Sequence, residues 1–212
     1  MRTEDLIAEL AASGPAAPAL TPRGTGLRML AAVALAAGLF LMLAGTRADL
    51  AARLAEPLIL TKTLLPAMLA AIALPLGLRM MRPGARIGRA ALWFALPASL
   101  AVLLWAATFA RTAPAVRFAD VTAFALSECV GLIIAIAALP MVFALRLMRA
   151  GAATRPRLAG ALTGLGIAGL AATGYSLFCT QDNPLFYLTW YGAAIAAVSA
   201  AAAALGARWL AF

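Results

Sequence analysis

Histidine is absent from the 212 residues, and charge is scarce: 12% of residues are Asp, Glu, Lys or Arg, against roughly 25% in a soluble domain. Without histidine, the usual imidazole metal sites and His-based proton relays are excluded. No HExxH, Walker loop or G-x-S-x-G elbow occurs, so three common catalytic classes lack their signature residues. Ser127, Ser176 and Ser199 are isolated hydroxyls with no base in view. No carboxylate falls at the middle of a long apolar run, which argues against coupled ion transport. These absences point away from an enzyme, and no cofactor is expected.

What the chain has is apolar length. It is 65% hydrophobic with a mean hydropathy of +0.96, more apolar surface than a soluble fold of this size can hide. Six runs stand out, at Leu27–Gly45, Leu58–Leu78, Ala90–Ala110, Val121–Leu145, Leu158–Phe178 and Leu185–Ala207. Each is long enough to cross the ~30 Å hydrocarbon core as a helix. Lipid offers no partner for an unpaired amide, so helix is required, and the alternation of a barrel strand is missing. The expected fold is an all-α integral membrane protein with six transmembrane helices.

The net charge of +9 follows topology, not nucleic acid. Arg79, Arg82, Arg86 and Arg89 lie between runs two and three, and Arg146, Arg149, Arg155 and Arg157 between runs four and five. With Arg2, Arg23, Arg28 and Arg208, twelve of seventeen basic residues fall on one side. The positive-inside rule then puts both termini in the cytoplasm, an N-in/C-in arrangement. Run one, preceded by Glu4, Asp5 and Glu9, is expected to be a retained helix and not a cleaved signal peptide.

The chain divides into a cytoplasmic segment, 1–26, and a six-helix bundle, 27–212. In the segment, Thr3 is placed to cap a short helix through Ala12, with Glu4 and Asp5 at its positive end. Leu6, Ile7 and Leu10 share one face, flanked by Asp5 and Glu9. Ser13-Gly14-Pro15 stops the helix, and Pro15, Pro18 and Pro22 predict a stiff, extended tether. Ten residues are too few for a stable helix in water, so this one is expected to fold against a partner or on the membrane surface.

In the bundle, Gly160 and Gly164 form a GxxxG in run five, followed by Gly166, Gly169 and Gly174, a pattern for close helix packing in lipid. Pro66, Pro75, Pro97 and Pro140 interrupt runs two to four, which membrane helices tolerate. Lys62 lies about five residues into run two and is expected to snorkel to the headgroups. Glu128 and Cys129 open run four, Cys179 closes run five, and run lengths place both thiols at one level on the non-cytoplasmic side. Asp182 lies beside them. Such a pair suits a reversible disulfide, or capture of a soft metal or an electrophile as thiolates. Asp182 and Asn183 precede Pro184 as helix-start residues, and Phe186, Tyr187, Trp190 and Tyr191 read as interfacial anchors.

The six-helix layout, the acidic start MRTEDLIAEL and the motif Cys179-x-x-Asp182-x-Pro184-Leu185-Phe186-x-x-x-Trp190-Tyr191 together resemble the NrsF family. Its members are membrane-bound negative regulators of extracytoplasmic-function sigma factors in Gram-negative bacteria. Cys129 falls at the family's first cysteine, whereas Gln181 and Asn183 depart from its pattern of an acidic residue and a serine. The resemblance implies an anti-sigma factor in a bacterial inner membrane. Asp5, Leu6, Ile7, Glu9 and Leu10 would contact the sigma factor, and Glu128, Cys129, Cys179 and Asp182 would sense a signal. Partners would be that sigma factor and the lipid bilayer, with no direct nucleic-acid contact. A small multi-span transporter and a structural membrane subunit are the competing readings of the bundle alone.

Overall fold

A computed structural model describes residues 2–12 and 21–211. Among them there is no strand, and six helices are long and apolar enough to span a membrane. A short helix α1 (Thr3–Ala12) precedes the first span, α2 (Pro22–Ala44), and a single-turn α3 (Leu50–Leu54) leads into α4 (Pro57–Arg79). The third span opens as a 3-10 stretch, Gly88–Phe94, and continues as α5 (Ala95–Arg111). The last three are α6 (Ala123–Met148), α7 (Pro156–Ser176) and α8 (Pro184–Trp209).

The six expected spans are all present, and their ends differ where capping outweighs hydropathy. The first span begins at Pro22, five residues before the apolar run, because the Thr21 hydroxyl accepts the Gly24 N–H (3.1 Å) and Pro22 occupies the first turn. Pro22 therefore starts a helix and is not part of an extended tether. The expected helix stop at Ser13-Gly14-Pro15, and Pro18, lie outside the described residues. Thr122 caps α6 in the same way, accepting from the Ala125 N–H at 3.1 Å. Thr3 lies inside α1 and does not cap it; instead the Asp5 carboxylate accepts the Arg2 N–H at 3.2 Å. Pro66, Pro75 and Pro140 sit within continuous helices, and Pro97 falls in the first turn of α5.

Helix α7 is the hub, packed chiefly between α4 and α8, with α6 against both α7 and α8 and α2 laid across α6 and α7. Its glycines allow this. A Cβ on Gly160 would collide with the Ala202 carbonyl of α8, and one on Gly164 with the Ala202 side chain. On the α4 side, a Cβ on Gly169 would lie 2.7 Å from the Pro66 carbonyl. The GxxxG pair thus serves packing within the chain: small residues let backbones meet where lipid supplies no hydrophobic drive between helices. Helix α5 is peripheral, touching only α4, α8 and its own 3-10 lead among the larger contacts.

Candidate functional site

The site lies at the end of the bundle opposite the arginine-rich loops and begins with two turns in the chain. Helix α2 ends at Gly45, whose φ of 83° is open to glycine but strained for other residues. The chain then reverses and brings Arg47 against the α7–α8 connection, where the Arg47 N–H donates to the Leu177 carbonyl (3.1 Å). Helix α7 stops at Ser176, so Cys179 lies in this connection and does not close the helix. Asn183 restarts the chain as the cap of α8, its side chain accepting the Leu185 N–H at 3.0 Å. The Asn183 amide also donates to the Asp120 carboxylate (3.1 Å) and the Arg117 carbonyl (3.3 Å), tying in the α5–α6 loop.

The Arg47 side chain is 5% exposed, and its guanidinium donates to oxygens of three residues, Asp49, Cys179 and Asp182. Nη1 and Nη2 donate to the two Asp182 oxygens at 2.7 and 2.8 Å, a bidentate pair. Nε donates to Asp49 at 2.7 Å, and Nη1 reaches the Cys179 carbonyl at 3.2 Å. Lys62, the chain's sole lysine, is 1% exposed and donates to the same Cys179 carbonyl at 2.7 Å, with Asp182 Oδ1 at 3.3 Å. The backbone oxygen of Cys179 is therefore gripped by two cations, one just beyond α2 and one on α4. Arg53 completes the outer rim, bridging Asp49 (2.8 Å) and Glu56 (3.0 Å).

Electrostatics outside the spans follow from this geometry. Burial pushes the Asp182 carboxyl up, but the hydrogen bonds from Arg47 and the charges of Lys62 and Arg47 outweigh it, holding the group below its ordinary 3.8. Hydrogen bonds from Arg47 and then Arg53 hold Asp49 well below the carboxylate range. The same two carboxylates push the Arg47 guanidinium further up. Arg47 and Lys62 against Asp49 and Asp182 make a charge-balanced cluster, the condition under which buried charge is tolerated.

Beneath the cluster lie the thiols. Cys129 is 1% exposed and Cys179 4%, and both are free. Both belong to one buried cluster with Tyr175, whose backbone carbonyl accepts the Cys179 N–H at 3.1 Å. Tyr191 is stacked edge-on to Tyr175, with ring centroids 5.7 Å apart. Its buried hydroxyl meets hydrogen-bond geometry with no group among the described residues. The structure thus gathers Cys129 and Cys179 into one buried cluster and ties Asp182, through Arg47 and Lys62, to the Cys179 carbonyl. Glu128 is half-buried next to Cys129 and makes no hydrogen bond or ion pair among the described residues. No cluster of three metal-ligating side chains occurs among the described residues.

Two expectations are corrected. Lys62 does not snorkel: it points inward because the Cys179 carbonyl and Asp182 offer a better-organised site than the headgroups. Phe186, Tyr187 and Tyr191 are not interfacial anchors, being 1%, 1% and 4% exposed. Tyr191 packs on Tyr175 of α7, and the Tyr187 hydroxyl pairs with that of Thr61 of α4 at 2.8 Å. Trp190 is half-buried, and Pro184 is buried at the start of α8. Asp182 is a clamp residue, and only Asn183 caps the helix.

Sequence reasoning singled out neither Arg47 nor Tyr175. Lys62 carried a usable signal, being an ionisable group inside an apolar helix, which by default marks a site. At the other end of the chain, Asp5, Leu6, Ile7 and Glu9 are exposed on α1, with Leu6 41% and Ile7 62% exposed. Leu10 lies in the same helix, and its side chain is outside the described residues.

The sequence model of one family, described as NrsF, negative regulator of sigma F, matches residues 10–212. The match takes in all six spans and both cysteines, and only the last three residues of α1. No curated protein and no solved structure matches the chain.

Proposed function

The chain belongs to the NrsF family of negative regulators of sigma F, and from that premise we propose that it is a thiol-sensing anti-sigma factor of the inner membrane. In this reading both termini are cytoplasmic. Helix α1 lays Leu6, Ile7 and Leu10 into a groove of an extracytoplasmic-function sigma factor, with Asp5 and Glu9 at the rim. Tethering keeps that short contact occupied by raising its effective concentration. Cys129 and Cys179 receive the signal on the periplasmic side, where disulfides persist.

The observation that carries the proposal is the double grip of Arg47 and Lys62 on the Cys179 carbonyl. Chemistry at the Cys179 sulfur that shifts its backbone would also shift Arg47, two residues beyond the Gly45 end of α2. That helix has 23 residues, about 35 Å at 1.5 Å per residue, and α1 precedes its far end. Disulfide formation, soft-metal capture or alkylation would each favour one packing over another, the differential that release requires. Arg47 and Lys62 are positioning residues here, because they hold the backbone and not the reacting sulfur.

The test is a sigma-dependent reporter in cells carrying the wild-type chain or Cys129→Ser/Cys179→Ser. The double variant should repress fully and no longer respond to thiol oxidants or soft metals. A double variant that still induces normally would remove the thiols from the mechanism. Loss of repression on Leu6→Asp/Leu10→Asp, with the protein still in the membrane, tests the sigma-binding half separately.

A further inference from the structure

Charge is segregated along the bundle. Every carboxylate after Glu9, namely Asp49, Glu56, Asp120, Glu128 and Asp182, lies toward the thiol end. Among the described residues after Glu9, the opposite end of the bundle carries basic side chains and no acidic ones. Three of its arginines, Arg23, Arg79 and Arg82, meet at the mouth of a crevice of about 540 Å³ between α2 and α4. All three are exposed, and none has a salt bridge among the described residues. The crevice walls include Gly26, Leu30, Pro75 and Leu78. A second cavity of about 280 Å³ shares those four residues and continues past Ala70 to Ala67.

The crevice exists because α2 packs on α6 and α7 and meets α4 only lightly. Arg79 and Ala67 are twelve residues apart on α4, about 18 Å along the axis at 1.5 Å per residue. Half of the ~30 Å hydrocarbon core is about 15 Å. The crevice therefore runs from the headgroup level through one leaflet, cationic at its mouth and apolar below. Polar chains are excluded at that depth, since nothing there would satisfy their backbone. Guanidinium groups match phosphate oxygens bidentately, and basic pockets between membrane helices suit anionic headgroups.

We propose that this crevice binds an anionic glycerophospholipid, its phosphate on Arg23, Arg79 and Arg82 and an acyl chain along Leu30, Pro75 and Leu78. The site is independent of the thiols and of any partner protein.

The experiment is native mass spectrometry of the full-length protein in detergent, offered equal amounts of phosphatidylglycerol and phosphatidylcholine with identical chains. The wild type should retain the anionic lipid preferentially. At roughly fivefold for each arginine near the headgroup, R23Q/R79Q/R82Q should remove the preference. R149Q/R155Q/R157Q deletes the same charge elsewhere on the basic end and should keep it. Leu30→Trp plugs the slot at constant charge and should also lower retention. Equal retention of the two lipids by the wild type would overturn the proposal. So would equal loss in both triple variants, which means bulk charge attraction only, or an unaffected Leu30→Trp, which means a headgroup contact with no seated chain.

Discussion

Replacing Arg47 by Met removes the guanidinium and keeps most of the stem. Asp182 then loses a bidentate pair at 2.7 and 2.8 Å and retains only the 3.3 Å contact to Lys62. Breaking a fully buried ion pair from one side costs about 3–5 kcal/mol. The Asp182 side chain is 23% exposed, so solvent screens part of that loss, and about 2–3 kcal/mol is expected. For a chain of this length that corresponds to roughly 5–10 °C in Tm. Arg53→Met removes an arginine that is 40% exposed and should cost less than about 1 kcal/mol. The assay is thermal unfolding of the purified full-length protein in detergent, followed by tryptophan fluorescence. A double-mutant cycle with Asp182→Asn should give a coupling of about 2 kcal/mol, because the second change adds little once the first has broken the pair. Additivity within about 0.5 kcal/mol, or an Arg53→Met loss equal to that of Arg47→Met, would refute the claim that a buried clamp holds the Cys179 connection.

Three further outcomes are expected. The Asp182 carboxyl is held below its ordinary 3.8, so its contribution is complete above that value and lost as pH falls through the lower folded value. Tm should be flat between about pH 7 and about pH 5 and fall below about pH 4, with Asp182→Asn flattening that acid limb. Gly160→Leu should destabilise by at least about 1–3 kcal/mol through overpacking against α8, whereas Gly192→Ala, with nothing within 4 Å of its Cβ, should leave Tm unchanged. Cys129 and Cys179, 1% and 4% exposed, should resist a bulky maleimide in the folded protein and react within the mixing time in SDS. Fast labelling of the folded protein would show that the thiols are not enclosed.

The amino-acid sequence by itself determined the six helices, because lipid imposes a length and an internally bonded backbone on any apolar run. It also set apart a basic end and an acidic end, since residues per ångström along a helix are constant. The stretch from Cys179 to Tyr191 carried the resemblance to the family. Span ends were less legible: Thr21 and Pro22 start a helix five residues ahead of its apolar stretch, a local hydrogen-bond choice that hydropathy does not register. Which helices are neighbours was not legible at all. Only the tertiary structure decided that α7 sits between α4 and α8, that Tyr175 is buried with both thiols, and that Phe186, Tyr187 and Tyr191 turn inward. Only the fold carries Arg47, 135 residues away in the chain, onto Asp182. Periodicity reports which side of a helix is apolar, but in lipid both sides are, so the choice of partner passes to close packing at glycine and to a few buried charges that must find each other.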